Sequence, residues 1–129
     1  MAKLMGKTRA GEGYRFECLT RDALRGAGYE VIRAAASKGP ADIVGIRDGE
    51  LLFIQCKYTS KFPVTSLSVC PLEERKEVIR LSRMVGAVPL LAHPYKEGHR
   101  AVDVAFKRLT GPGPHDFQPW SLSRVSAGL

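Results

Sequence analysis

The stretch GPADIVGIRDGELLFIQCKYTS, from Gly39 to Ser60, constrains the fold more than any other part of the chain. Two apolar segments, Ile43-Val44-Gly45-Ile46 and Leu51-Leu52-Phe53-Ile54, flank Asp48-Gly49. That dipeptide favours the positive-φ turn of a two-residue β-hairpin. Strands this apolar belong in a buried sheet, where an Asp or a Lys is expensive without a partner. With Asp48 and Gly49 as the turn, Arg47 faces Glu50, Ile46 faces Leu51 and Asp42 faces Gln55. Side chains alternate along a strand, so Gln55 and Lys57 share one face. Directly opposed Cβ atoms lie ~4.5–5.5 Å apart and diagonal ones ~7–8 Å. This register gathers Asp42, Gln55 and Lys57 into one patch at the open end of the hairpin.

The flanking sequence supplies the other layers. From Tyr14 to Ala27, apolar residues recur at three- and four-residue steps (Phe16, Leu19, Ala23, Leu24, Ala27), the spacing of an amphipathic helix that Gly26 and Gly28 stop. Glu17 falls roughly 80–100° from the centre of that stripe, at the edge of the buried face. YEVIRAA (Tyr29 to Ala35) reads as a strand, and KFPVTSLSV stays open between an edge strand and a loop because of Pro63. Pro71 to Val85 is a second helix, with Glu73 and Glu74 at its positive end, Arg80 and Arg83 at its negative end and Gly86 as the stop. AVPLLAH and RAVDVAF read as strands. The order α-β-β-β-α-β-β describes an α/β fold, one mixed central β-sheet flanked by helices. The expected organisation is a flexible basic arm over residues 1–12, one domain over 13–110, and a loose Gly/Pro/Ser-rich tail over 111–129 from which Trp120 is a candidate to dock back.

Twenty Lys and Arg against thirteen Asp and Glu give a net charge of +7, which suits a polyanionic partner. Scattered aromatic residues form no stacking platform and disfavour single-strand binding. Cys18, Cys56 and Cys70 are odd in number with no C-x-x-C pair, so they read as reduced thiols of a cytoplasmic protein. No apolar run approaches the ~20 residues of a membrane span, and the N-terminus has no secretory pattern.

An Asp, a carboxamide oxygen and a Lys in one cluster point to metal-assisted phosphodiester chemistry. Mg²⁺, with Mn²⁺ as a substitute, takes oxygen ligands, one or two of them carboxylates, and activates a water. A nearby Lys orients that water or stabilises developing charge. Glu17 would be a second acid if its helix packs beside the hairpin. On these residues alone a plainer reading stays open, in which Asp42 caps the strand entry and Lys57 reaches to solvent.

GPAD ending in Asp42, followed by Gln55-Cys56-Lys57, resembles the PD-(D/E)xK nuclease signature. More specifically, from about Gly13 to Phe106 the chain resembles an archaeal-type Holliday junction resolvase. GYRFE ending in Glu17 is similar to that family's metal-binding helix, Arg33 and Ser37 to its Arg and Ser on and after the first strand, and LSRMVGAVPLLA to its second helix and following strand. The resemblance implies a restriction-endonuclease-like fold and a homodimer that cuts four-way DNA junctions; the expected setting is the cytoplasm, or a host's cytoplasm if the protein is viral. It implies catalytic roles for Glu17, Ser37, Asp42, Gln55 and Lys57. The metal would be held by Glu17, Asp42, Gln55 and the backbone carbonyl of Cys56. Lys7, Arg9, Arg33, Lys38 and Lys61 are the expected DNA contacts. Two departures stand out: Gln55 replaces the family's usual Glu, and the loop before Asp42 is one residue longer. A restriction- or repair-type nuclease of the same fold, or a junction-binding protein with a degenerate site, are the alternatives.

Overall fold

The computed structural model describes residues 9–34, 41–96, 98 and 102–122. The first helix, α1, runs Arg9–Gly26. Phe16, Thr20 and Leu24, at four-residue intervals, are buried along one stripe. The helix begins five residues before Tyr14, so residues 9–12, expected in a flexible arm, are helical instead. Glu12 lies in the first turn, where a negative charge suits the positive end of the helix. It also meets the Tyr58 hydroxyl, a tertiary contact that the local sequence does not announce. The rest of the expected arm, with Lys7, lies outside the described residues.

Six strands follow in chain order: β1 (Glu30–Arg33), β2 (Ile43–Arg47), β3 (Glu50–Cys56), β4 (Val88–Tyr95), β5 (Asp103–Leu109) and β6 (Phe117–Trp120), with helix α2 (Leu72–Val85) between β3 and β4. They form one sheet whose spatial order is the chain order. Every neighbouring pair is antiparallel except β3 and β4, which are parallel. A parallel pair needs a long crossover, and α2 provides it. The β2–β3 hairpin has the register read from its turn, from Arg47↔Glu50 to Ile43↔Ile54. Asp48 and Gly49 carry φ values of 27° and 79°.

Alternation along the strands divides the core into two. Leu52, Ile54, Cys56, Leu90, Ala92 and Phe106 face α1 and pack with Phe16 and Leu24. Leu91 and Leu109 face the other way, onto Val78 and Ile79 of α2 and onto Leu67 and Cys70. The ambiguous segment after Lys61 is a loop that ends in a short 3₁₀ turn, Leu67–Val69. Gly86 stops α2 in the left-handed region at φ 72°. Arg75 is buried and donates to the carbonyls of Leu67 (3.2 Å), Cys70 (2.5 Å) and Pro112 (2.9 Å). One of the chain's basic residues is therefore a structural staple at the start of α2.

The tail expected from residue 111 is only partly loose in composition and not loose in structure over 117–120. Phe117–Trp120 pairs with β5, and Trp120 packs edge-on against Phe106 at 5.4 Å. Pro119 is tolerated because β6 is the edge strand. The Gly- and Pro-rich residues make the turn before it, where Asp116 accepts the Gly113 N–H at 2.9 Å. Among the described residues, no helix is long and apolar enough to cross a membrane.

Candidate functional site

Asp42 stands at the entry to β2, wedged between the two neighbouring strands. Its carbonyl accepts the Ala34 N–H at 2.9 Å, and its own N–H donates to Ile54 O at 2.8 Å. Its side chain then reaches past Gln55, and Oδ2 accepts the Cys56 N–H at 2.8 Å. Asp42 thus brackets Gln55 on β3, one bond on each side of it, where a plain continuation of the hairpin would pair the two residues directly. Asp42 is only 7% exposed. Burial pushes its pKa above the ordinary 3.8; the Cys56 N–H pulls the other way, the negative charge of Glu17 pushes up again, Lys57 pulls down and Glu74 pushes up.

Lys57 follows directly after β3, tied to β4 by its N–H on Ala92 O at 2.9 Å. Its ammonium pairs with Glu74 Oε1 of α2 at 2.6 Å. Burial opposes the charge on Lys57, but the bond to Glu74 and the charges of Glu74, Cys70 and Asp42 outweigh it, and its pKa lies above the ordinary value. From the other side, Glu17 of α1 accepts from Arg33 Nη2 at 2.8 Å, and Arg33 also lies over the Tyr14 ring, 4.9 Å from its centroid. The Arg33 Nε–H is buried and has no acceptor among the described residues. Two cation–carboxylate pairs from distant elements therefore flank Asp42, one on each helix.

Gln55 is 3% exposed, so it is no solvated strand end. It aligns with Leu91 of β4, whose side chain belongs to the α2-facing cluster. Gln55 and Lys57 accordingly face α2, while the Cys56 side chain lies in the α1-facing core. Burial raises the Cys56 thiol pKa far above its ordinary value, with the Asp42 charge adding to it. With the thiol packed in that core, the backbone of Cys56 is what borders Asp42, its N–H donating to Oδ2. Lys61 is exposed in the loop after β3, its N–H on Thr59 Oγ1 at 3.1 Å. Arg9 is the first residue of α1. Ser37 and Lys38 lie outside the described residues.

The donor set suits a hard divalent cation. Among the described residues no three His, Cys, Asp or Glu side chains gather closely enough to cage a metal. Mg²⁺ does not need such a cage, because it is commonly held through one or two carboxylates with water and phosphate completing its shell. The negative charge of Glu17 acts on the Asp42 carboxylate, and a cation between the two would relieve that repulsion. A carboxylate accepts through two oxygens, so the Arg33 bond leaves Glu17 able to serve.

Two residues at this site escaped sequence reading. Glu74 carries the same signal as any acid in a first helical turn, and only the packing of α2 on β3 turns it toward Lys57. Tyr58 had no pattern either. It meets Glu12 and sits 6.4 Å from the Phe16 ring, so it joins α1 to the end of β3.

A family model for archaeal Holliday junction resolvase (Hjc) matches residues 8–109. The crossover junction endodeoxyribonuclease Hjc of Methanocaldococcus jannaschii is 36% identical over 81 residues, which cover 63% of this chain and 57% of that relative. The match thus spans just over half of the relative's length. The structure of Archaeoglobus fulgidus Hjc, a Holliday junction resolvase from an archaeal hyperthermophile, superposes with a TM-score of 0.56 at 27% identity, covering 74% of this chain and 70% of that one. The mixed sheet with its two helices is the restriction-endonuclease-like α/β fold expected from the sequence. The matched region runs through α1, the β2–β3 hairpin, α2 and β5, and so contains every element that builds the site. The chain belongs to the archaeal Holliday junction resolvase family.

Proposed function

We propose that this protein is a structure-selective endodeoxyribonuclease that resolves four-way DNA junctions by Mg²⁺-dependent phosphodiester hydrolysis, acting as a homodimer. The observation that carries the reading is the buried Asp42 carboxylate, fixed on the Cys56 N–H at 2.8 Å, with Glu17 and Lys57 close enough to act on its charge. Burying an acid at a strand end, beside a second acid, costs stability. Such a cost is usual at a reaction centre.

Asp42, Glu17, the Gln55 amide oxygen and the Cys56 carbonyl would hold the metal. When bound, Mg²⁺ would supply a water of lowered pKa and neutralise charge on the phosphate. Lys57 would orient that water and stabilise the charge that develops as the P–O bond breaks. Arg33, whose side chain is 30% exposed beside Glu17, would contact a backbone phosphate. Ser37 would touch the scissile phosphate, and Lys7, Arg9, Lys38 and Lys61 would extend the grip along the strand. Contacts of this kind read junction shape and phosphate position more than base edges. Two sites related by a two-fold axis would make paired nicks.

Competition tests the substrate class. A labelled four-way junction should be cut in the presence of excess linear duplex of the same sequence, and both Lys57→Ala and Asp42→Asn should abolish the cut. Equal cleavage of linear duplex would favour a repair- or restriction-type nuclease. One observation favours a non-catalytic junction binder, namely a neutral Gln55 at the first position of the Gln55-Cys56-Lys57 triplet. That reading requires that no nick appear at any Mg²⁺ concentration.

A further inference from the structure

The carboxylate that grips Lys57 comes from α2. Lys57 Nζ and Glu74 Oε1 are 2.6 Å apart, with side chains 25% and 41% exposed. An exposed ion pair on mobile stems would mean little, but both ends here are firmly mounted. The Lys57 backbone is bonded to β4. The residue after Glu74 is Arg75, whose three bonds to backbone carbonyls pin the first turn of α2. The neighbouring acid behaves differently: Glu73 is 84% exposed and, among the described residues, its ion pair is with Lys76 on its own helix, at 4.0 Å. Helix-dipole stabilisation accounts for Glu73; it does not require Glu74 to bridge to another element.

Gln55 and Lys57 both face α2, and the buried position two residues before Lys57 carries an amide and no charge. We propose that Glu74 is a positioning residue of the nuclease site, holding the Lys57 ammonium beside Asp42 from α2. The inference rests on the nuclease reading above. A lysine side chain has four rotatable carbons and loses orientation easily, and a reacting group displaced by about an ångström loses most of its effect. Glu74 is exposed enough to yield Lys57 to an arriving phosphate, yet fixed enough to hold it until then.

The test compares wild type, Glu74→Gln, Glu74→Asp and Lys57→Ala. Single-turnover nicking of a labelled junction is measured in Mg²⁺, junction affinity in Ca²⁺, and folding of each variant by thermal melting. Glu74→Gln should slow nicking roughly 10- to 100-fold while changing affinity by less than about fivefold, the scale of an exposed ion pair. Glu74→Asp should fall between it and wild type. A folded Glu74→Gln protein that nicks at the wild-type rate overturns the proposal, as does a loss of rate matched by an equal loss of junction affinity. Wild-type nicking by Lys57→Ala would instead overturn the site assignment itself.

Discussion

Asp42→Asn should make the protein more stable as it destroys the activity. The amide is close in size to the carboxylate, and its oxygen can still accept the Cys56 N–H now held at 2.8 Å. What disappears is a buried negative charge that faces Glu17 and Glu74. The loss is that a charge-assisted bond becomes a neutral one, a difference of about 1 kcal/mol. Burial with the two acids outweighs the Cys56 N–H and Lys57, since the carboxyl pKa lies above 3.8, so the balance favours Asn. The net gain at pH 7.5 in EDTA should be on the order of 1 kcal/mol, visible as a rise in Tm of roughly 2–8 °C. The sign with pH follows from linkage. An acid whose folded pKa is raised costs nothing below its unfolded pKa, near 3.8, and its cost grows as pH rises to the folded value. The Tm gap between variant and wild type should therefore close at acid pH, open above it and level off toward neutrality. Saturating Mg²⁺ should stabilise wild type more than the variant and shrink the gap. Thermal melts across pH, with and without Mg²⁺, decide the matter. A variant less stable than wild type at neutral pH in EDTA would refute the charge balance assigned to Asp42.

Gln55→Glu should lower the Mg²⁺ concentration needed for half-maximal cleavage, because ligand charge tunes affinity, and metal titration of both proteins checks it; identical midpoints would remove Gln55 from the ligand set. Since Gln55 is 3% exposed, the same variant should also melt lower in EDTA. Junction binding should weaken with salt at roughly −0.9 log units per phosphate neutralised, and changing Arg33 and Lys38 together should flatten that slope by about two units. Light scattering at micromolar concentration should give twice the 14.1 kDa chain mass, and a monomer that still makes paired cuts would refute the dimer. Arg75→Met should cost about 2–4 kcal/mol by leaving the carbonyls of Leu67, Cys70 and Pro112 without their donor, as read by chemical denaturation.

The hairpin was legible because its signals are local: a turn dipeptide that needs positive φ and apolar runs of matched length specify one register. The same local logic located α2 through Pro71, its paired first-turn acids and Gly86. Where tertiary contacts decide, the sequence was a poorer guide. Residues 9–12 read as arm because the first twelve residues are small, polar and basic, whereas in the structure they begin α1 and Glu12 meets Tyr58. Phe117–Trp120 read as tail because Gly and Pro dominate the composition around it, although the apolar Phe117 and Trp120 close the β5 edge. At the site, Asp42, Gln55 and Lys57 were visible from strand alternation. The backbone bracket that Asp42 forms around Gln55 was not, since it depends on the ladder ending at Ile43↔Ile54. Glu74 was hidden by ambiguity, because a helix-dipole acid and a lysine-positioning acid are the same letter in the same place. Net charge was an imperfect guide as well: Arg75 is a core staple, and Lys107 is buried with its ammonium 2.8 Å from His93 Nε2.

The most direct measurement is cleavage of an end-labelled four-way junction and a linear duplex of the same length by wild type and Asp42→Asn, each with Mg²⁺ and with EDTA. Wild type should nick the junction in two strands of like polarity with Mg²⁺ only, while Asp42→Asn should shift the junction on a native gel and leave it uncut. Nicking by Asp42→Asn at the wild-type rate, or a wild-type protein that binds the junction and never cuts it in Mg²⁺, would contradict a metal-dependent resolvase built on Asp42.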